Sequence, residues 1–201
     1  MNILIYAVIG YLIGCLNFGV IIPKIMYRKD IREYGSGNAG ATNAFRVFGK
    51  IAGVIVLILD MAKSFAYVTI LREKFEVSNL VVLAMAGLFV VIGHIFPLFF
   101  GFRGGKGVSA TGGTVAAICP FAFIPLTLVF IITILVKKKV GLGSVVAVSM
   151  IPFGILLVNI VYEKLPWSVC LPILAINVVM CAIVVYRHKE NIIQMKKDGI
   201  I

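Results

Sequence analysis

The chain has 201 residues, 61% of them hydrophobic and only 13% charged, with a net charge of +11. A mean hydropathy of +1.10 lies far outside the range of soluble domains. This excludes a water-soluble enzyme, and because the cations flank apolar segments, membrane orientation accounts for them better than a nucleic-acid partner does.

The length leaves room for a single membrane-embedded domain, residues 1–201, so any chemistry falls at the bilayer edge. A first apolar run, Met1–Ile22, is long enough to cross a bilayer, for which about 20 apolar residues suffice. Within it, Leu12-Ile13-Gly14-Cys15 has the letters of a lipoprotein processing box. No Lys or Arg precedes it, and it reads as an uncleaved first span. A glycine-rich loop follows, Gly35-Ser36-Gly37-Asn38-Ala39-Gly40-Ala41-Thr42-Asn43-Ala44-Phe45-Arg46. The second run, Ile51–Leu71, is broken by Asp60 and Lys63, three residues apart on one helix and able to pair. The third, Val77–Phe102, holds His94 and leads into a second glycine loop ending Gly104-Gly105-Lys106-Gly107.

The next uncharged run, Gly107–Val136, carries Pro120 and Pro125 near its middle, and proline removes a helical hydrogen bond. The runs Val140–Tyr162 and Leu165–Tyr186 complete the set, followed by Arg187-His188-Lys189-Glu190-Asn191. Ser144 follows a predicted Gly141-Leu142-Gly143 turn, as a helix cap or a substrate donor. The four cysteines, Cys15, Cys119, Cys170 and Cys181, lie inside apolar runs without paired spacing and read as packing thiols, with no metal site.

Charge decides how the 107–136 run folds. Six simple spans would divide the loop cations nine against nine, contrary to the positive-inside bias. If the run breaks at its prolines into a hairpin of two short helices, every later loop changes side. Lys24, Arg28, Lys29, Arg32, Arg46, Lys50, Arg103, Lys106, Lys137, Lys138, Lys139, Arg187, Lys189, Lys196 and Lys197 then share one face, against Arg72, Lys74 and Lys164. The expected architecture is therefore an all-α integral membrane protein of about seven transmembrane helices, including a short proline-broken hairpin. Its amino terminus lies outside and its carboxyl terminus in the cytoplasm.

The glycine loops carry the chemistry. Gly35-x-Gly37-x-x-Gly40 matches a dinucleotide fingerprint, but no strand precedes it and Asp60 sits in an apolar helix. An anion loop fits better: bare amides, donors from Ser36, Asn38, Thr42 and Asn43, and Arg46 with bidentate geometry for phosphate. Gly104-Gly105-Lys106-Gly107 is not a Walker loop, because Phe100 stands where its first glycine belongs and Gly107 replaces the Ser or Thr. Glycines opening a helix still aim amides at an anion, with Lys106 as counter-charge. Neither His94 nor His188 has an aspartate five residues later, so the His-x-x-x-x-Asp pair of thioester-using acyltransferases is absent. An anion transporter could use the same loops, but the motifs gather on one face rather than at the midplane, and the halves do not repeat.

Gly-Ser-Gly-Asn-x-Gly-Ala-Thr-Asn-x-x-Arg at 35–46, Asp-x-x-Lys at 60–63, Gly-His-x-x-Pro at 93–97 running into Gly-Gly-Lys-Gly at 104–107, and Arg-His-x-x-Asn-Ile at 187–192 occur in that order. Together they resemble the bacterial acyl-phosphate:glycerol-3-phosphate acyltransferase family over essentially the whole chain. The resemblance implies transfer of an acyl chain from acyl phosphate to the 1-hydroxyl of glycerol 3-phosphate, giving lysophosphatidic acid and phosphate in phospholipid biosynthesis. It implies no cofactor, no metal, no CoA and no acyl carrier protein, with the site on the cytoplasmic side of the bacterial inner membrane. Phosphate contacts are expected from Ser36, Gly37, Asn38, Gly40, Thr42, Asn43, Arg46, Gly104, Gly105, Lys106 and Gly107. Ser144, His188, Asn191 and Lys106 are expected to orient the reacting groups.

Overall fold

The computed structural model describes residues 3–200; Met1 and Asn2, the first two residues of the predicted first span, lie outside them. Every regular element among the described residues is helical. Among the described residues six helical stretches are long and apolar enough to cross a membrane, and one shorter apolar helix, Val108–Ile118, makes the seventh. At about 1.5 Å per residue, its 11 residues cover roughly half the hydrocarbon core. The chain divides into two compact units, residues 1–118 and 119–201.

In the first unit α1 (Ile3–Cys15) and α2 (Phe18–Tyr27) make up the first span, α3 (Ala41–Phe48) leads into α4 (Lys50–Glu73), and α5 (Leu80–Ile95) and α6 (Val108–Ile118) follow. The first span is two helices rather than one. Asn17 breaks it, its side chain accepting from the Val20 amide to cap α2. Small residues let helix backbones touch, as membrane packing favours. Gly14 of α1 rests against Gly93 of α5, and Gly113 of α6 against the Met61 carbonyl of α4. One apolar cluster joins Tyr6, Tyr67, Val68, Leu83 and Val90; another, Val20, Ile31, Ala39, Ala44 and Val56, lies beneath the first glycine loop. α5 ends before Pro97, which disfavours helical geometry in the residue ahead of it.

The second unit contains α7 (Pro120–Lys137), α8 (Val140–Leu157) continuing through a π turn at Val158–Tyr162, α9 (Trp167–Tyr186) and α10 (Lys189–Lys197). The interruption expected in the 107–136 run falls at Cys119. Pro120 occupies the first helical position, where its missing N–H costs nothing, while Pro125 is accommodated inside α7. The turn expected at Gly141–Gly143 is instead the start of α8. Gly143 allows α8 to approach the Phe130 carbonyl of α7, and a β-carbon there would stand 3.0 Å from that oxygen.

Candidate active site

The first glycine loop is shaped from within. Gly35 and Gly37 take positive φ angles of 61° and 69°, a region open to glycine at little cost. Asn43, expected among the phosphate contacts, is buried and its amide is engaged by the loop itself. Its Oδ1 accepts from the Ser36 amide at 2.9 Å, and its Nδ2 donates to the carbonyls of Tyr34 (2.9 Å), Asn38 (3.1 Å) and Ile31 (3.3 Å). Its part is to hold the loop open.

That loop delivers the chain to the start of α3. Gly40 caps the helix in extended conformation without a side-chain cap, and the first intrahelical donors are Asn43 and Ala44. The amides of Ala41 and Thr42 therefore have no acceptor among the described residues. Ser36, Thr42 and Arg46 are exposed around them. Thr42 and Arg46, four apart on α3, lie on one helix face. Arg46 makes no ion pair or hydrogen bond within the described residues. Two amides at the positive end of a helix dipole, ringed by hydroxyls and a guanidinium, make an anion receptor.

The second loop is built differently. The amides of Gly104 and Gly105 are already engaged, donating to the carbonyls of Ile95 and His94 at 3.2 Å each. Both glycines are buried and act as close-packed supports rather than amide donors to an anion. Gly107, at φ 91°, turns the chain into α6, whose first backbone donor to a protein acceptor is Thr111, to the Gly107 carbonyl at 2.8 Å. The amides from Gly107 to Ala110 point out of the helix end beside half-buried Lys106.

The two loops meet. A β-carbon on Gly105 would lie 2.8 Å from the Ala39 carbonyl and press into the His94 imidazole. Arg32 fastens them a second time. Its Nη1 donates to the Phe100 carbonyl at 2.6 Å while Nε and Nη2 grip Asp30 at 2.9 and 2.8 Å. The hydrogen bonds from Arg32 hold the Asp30 carboxyl well below the usual carboxylate range, against the opposing effect of burial. The same pairing raises the Arg32 guanidinium. Sequence reasoning missed this clamp; an acidic residue two positions from an arginine within a basic loop was the available signal.

Beneath the seam lies a buried polar cluster. Lys63 Nζ donates to Asp60 Oδ1 at 2.7 Å, to the Leu16 carbonyl at 2.7 Å and to the Gly14 carbonyl at 3.1 Å. Sequence spacing anticipated the Asp60–Lys63 pair but found no aspartate near His94, whose Nδ1 lies 3.2 Å from Asp60 Oδ1. Lys63 Nζ also lies 3.2 Å from His94 Nδ1, so that one ring nitrogen faces both members of the ion pair.

The second unit gathers the remaining expected residues at one end. A β-carbon on Gly141, in the first turn of α8, would strike the Asn191 side-chain amide in the first turn of α10. Ser144 is buried inside α8 rather than capping it, and its Oγ donates to the Val140 carbonyl at 3.0 Å. His188, also buried, places Nδ1 2.8 Å from the Val184 carbonyl, which makes Nε2 the basic nitrogen of the neutral ring. Among the described residues no cluster of His, Cys, Asp and Glu could hold a metal ion.

Six long apolar helical stretches among the described residues define an integral membrane protein. Residues 4–198 match the family of glycerol-3-phosphate acyltransferases. Relatives bearing that name share 34% identity in Staphylococcus carnosus (98% of this chain, 96% of that one) and 37% in Listeria monocytogenes (98% and 94%). Crystal structures of PlsY (YgiH), an integral membrane glycerol 3-phosphate acyltransferase, superpose with TM-scores of 0.82 for its glycerol 3-phosphate form and 0.81 for its lysophosphatidic acid form. The identities are 36% and 34%, covering 98% of this chain and 93% of that one. The chain belongs to the glycerol-3-phosphate acyltransferase family.

Proposed function

We propose that this chain, acting as one catalytic domain over residues 1–201, moves an acyl group from acyl phosphate to the 1-hydroxyl of glycerol 3-phosphate, yielding lysophosphatidic acid and inorganic phosphate. The observation that carries the reading is the seam at Ala39 and Gly105, where the segments leading into α3 and α6 meet within one unit. The solved relative with glycerol 3-phosphate and with lysophosphatidic acid supports the acceptor and the product.

In this scheme the substrate hydroxyl attacks the acyl carbonyl carbon, a carbon–oxygen bond forms, and the bond from that carbon to the phosphate oxygen breaks. Phosphate leaves with the electron pair, and the hydroxyl proton passes to a phosphate oxygen, whose second pKa near 6 suits neutral conditions. Because the donor is an activated mixed anhydride, catalysis rests on positioning and charge stabilisation, without CoA, acyl carrier protein or metal. Ser36, Gly37, Asn38, Gly40, Thr42 and Arg46 hold one phosphate in the opening that Asn43 maintains. Lys106 and the amides from Gly107 onward hold the other, on a turn that Gly104 and Gly105 pack in place. Ser144, His188 and Asn191 orient the glycerol moiety and its attacking hydroxyl.

Charge supports a cytoplasmic site in the inner membrane. In the first unit the loop end carries eight Lys and Arg, Lys24 to Lys50 with Arg103 and Lys106, against Arg72 and Lys74 at the other end. In the second unit Lys137 to Lys139, Arg187, Lys189, Lys196 and Lys197 stand against Lys164. The test is direct. Purified protein given acyl phosphate and labelled glycerol 3-phosphate should release lysophosphatidic acid and phosphate, and acyl-CoA should not serve. Equal turnover with acyl-CoA would sink the proposed donor.

A further inference from the structure

The buried cluster of Asp60, Lys63 and His94 sits in neither anion receptor, yet it touches the break in the first span and, through His94, Gly105 of the second loop. Lys63 captures the Gly14 and Leu16 carbonyls where the first span breaks, and the Phe18 amide donates to Asp60 Oδ1 at 3.3 Å. Asn17 Nδ2 donates to the His94 carbonyl at 3.1 Å, the same oxygen that takes the Gly105 amide. The His94 ring, with Nδ1 beside Asp60, turns its Nε2 edge toward Gly105, where a β-carbon would strike it, and that β-carbon would also stand 2.8 Å from the Ala39 carbonyl oxygen. Ala39 and Gly40 are backed on the far side by Gly19, where a β-carbon would stand 2.6 Å from the Ala39 carbonyl carbon. A continuous train of contacts thus runs from a buried ion pair through one imidazole to the seam between the loops.

A charge pair in the membrane interior is expensive, and apolar residues of similar size would stabilise the bundle as well or better. An imidazole also has a fixed shape. Held at Nδ1, it presents a flat edge at one distance, where a flexible apolar side chain would not. We propose that His94 is a positioning residue for the transfer reaction: fixed by Asp60 and Lys63, its ring seats Gly105 against Ala39 and so sets the spacing of the two phosphate sites. The inference rests on the reading that these loops hold the substrate phosphates.

His94→Asn tests it. The Asn amide nitrogen falls where Nδ1 was and can still donate to Asp60, so the buried charges keep their partner while the ring edge is lost. The expected result is a detergent-solubilised protein melting within a few degrees of the parent. Its KM for the substrate held by the second loop should rise about tenfold, with a further fall in kcat, since a displacement of about 1 Å can cost on the order of 100-fold. Amide hydrogen exchange at Gly105 should accelerate, whereas that of α5 should not.

Parent-like KM and kcat for both substrates in folded His94→Asn would overturn the proposal. Should that variant fail to fold, Asp60→Leu combined with Lys63→Met removes both charges together and leaves His94 unanchored. Parent-like melting with raised KM supports positioning, and parent-like kinetics overturns it. KM for glycerol 3-phosphate is readable with any donor the enzyme accepts. A wild-type protein that rejects acyl phosphate but uses another donor therefore defeats the donor assignment and leaves this test standing.

Discussion

Gly105 and Ala39 approach so closely that only a glycine fits between the Ala39 carbonyl and the His94 ring. Through this contact the segment that leads into α3, with its Ala41 and Thr42 amides, meets the segment that leads into α6. The positive end of each helix dipole favours a nearby anion. The placement makes sense for a protein whose substrates are themselves anions.

Arg46 and Lys106 supply the two flanking cations, and their removal should act on binding. A hydrogen bond to a charged group contributes about 1.5–3 kcal/mol, so Arg46→Ala or Lys106→Ala should lower kcat/KM by roughly 10- to 100-fold. Arg46→Lys should recover little, since an ammonium cannot form the guanidinium's paired hydrogen bonds. Steady-state kinetics with each phosphate substrate varied in turn will show which loop serves which. Unchanged kinetics in both alanine variants would remove the assigned receptors.

Gly141→Ala probes the second unit. The added methyl meets the end of the Asn191 side chain, which can swing away, so the fold should lose little. The amide that moves is one of the proposed orienting groups. Turnover should therefore drop about tenfold or more while thermal stability stays near that of the parent. By contrast, Gly113→Ala drives its methyl into the Met61 backbone carbonyl, which cannot swing. That variant should lose about 1–3 kcal/mol of stability, visible as a lowered melting temperature in detergent.

Much of this arrangement was legible before any coordinates. Glycine clusters marked both loops, charge counting called for an interruption of the 107–136 run, and spacing paired Asp60 with Lys63. What escaped the sequence depends on distant partners. The first span breaks where Asn17 caps α2, and the break is held by Lys63, 47 residues away from Leu16, which takes the Gly14 and Leu16 carbonyls that a continuous helix would use internally. The His94–Asp60 contact spans 34 residues, beyond any local motif. At Gly141 and Gly143 low helix propensity suggested a turn, but close packing on Phe130 and Asn191 outweighs a cost of about 1 kcal/mol per glycine.

Removing one member of the buried pair should be far worse than removing both. Lys63→Met leaves the Asp60 carboxylate in the bundle without its cation, and Asp60→Leu strands the ammonium. Loss of a single partner from such a pair typically costs about 3–5 kcal/mol. Each single variant should therefore yield little folded protein by size-exclusion and melting assays, whereas the double variant should recover. Additive losses would mean that the pair is not coupled.

The Asp30–Arg32 clamp gives a pH signature at the loops. Asp30 titrates lower in the folded protein than in the unfolded chain, so the folded state binds fewer protons and gains from ionisation. That gain is fully present above the ordinary aspartate value of about 3.9. It declines as pH falls below it and disappears once pH passes beneath the lowered folded value. Across neutral pH the clamp should contribute a constant amount. Melting temperatures recorded from about pH 7 down to pH 3 should therefore fall more steeply at the acid end for the parent than for Asp30→Asn. The variant should start lower, having lost the carboxylate that Nε and Nη2 of Arg32 grip, and the two curves should converge in acid. Parallel curves throughout would show that the clamp does not couple loop stability to protonation of Asp30.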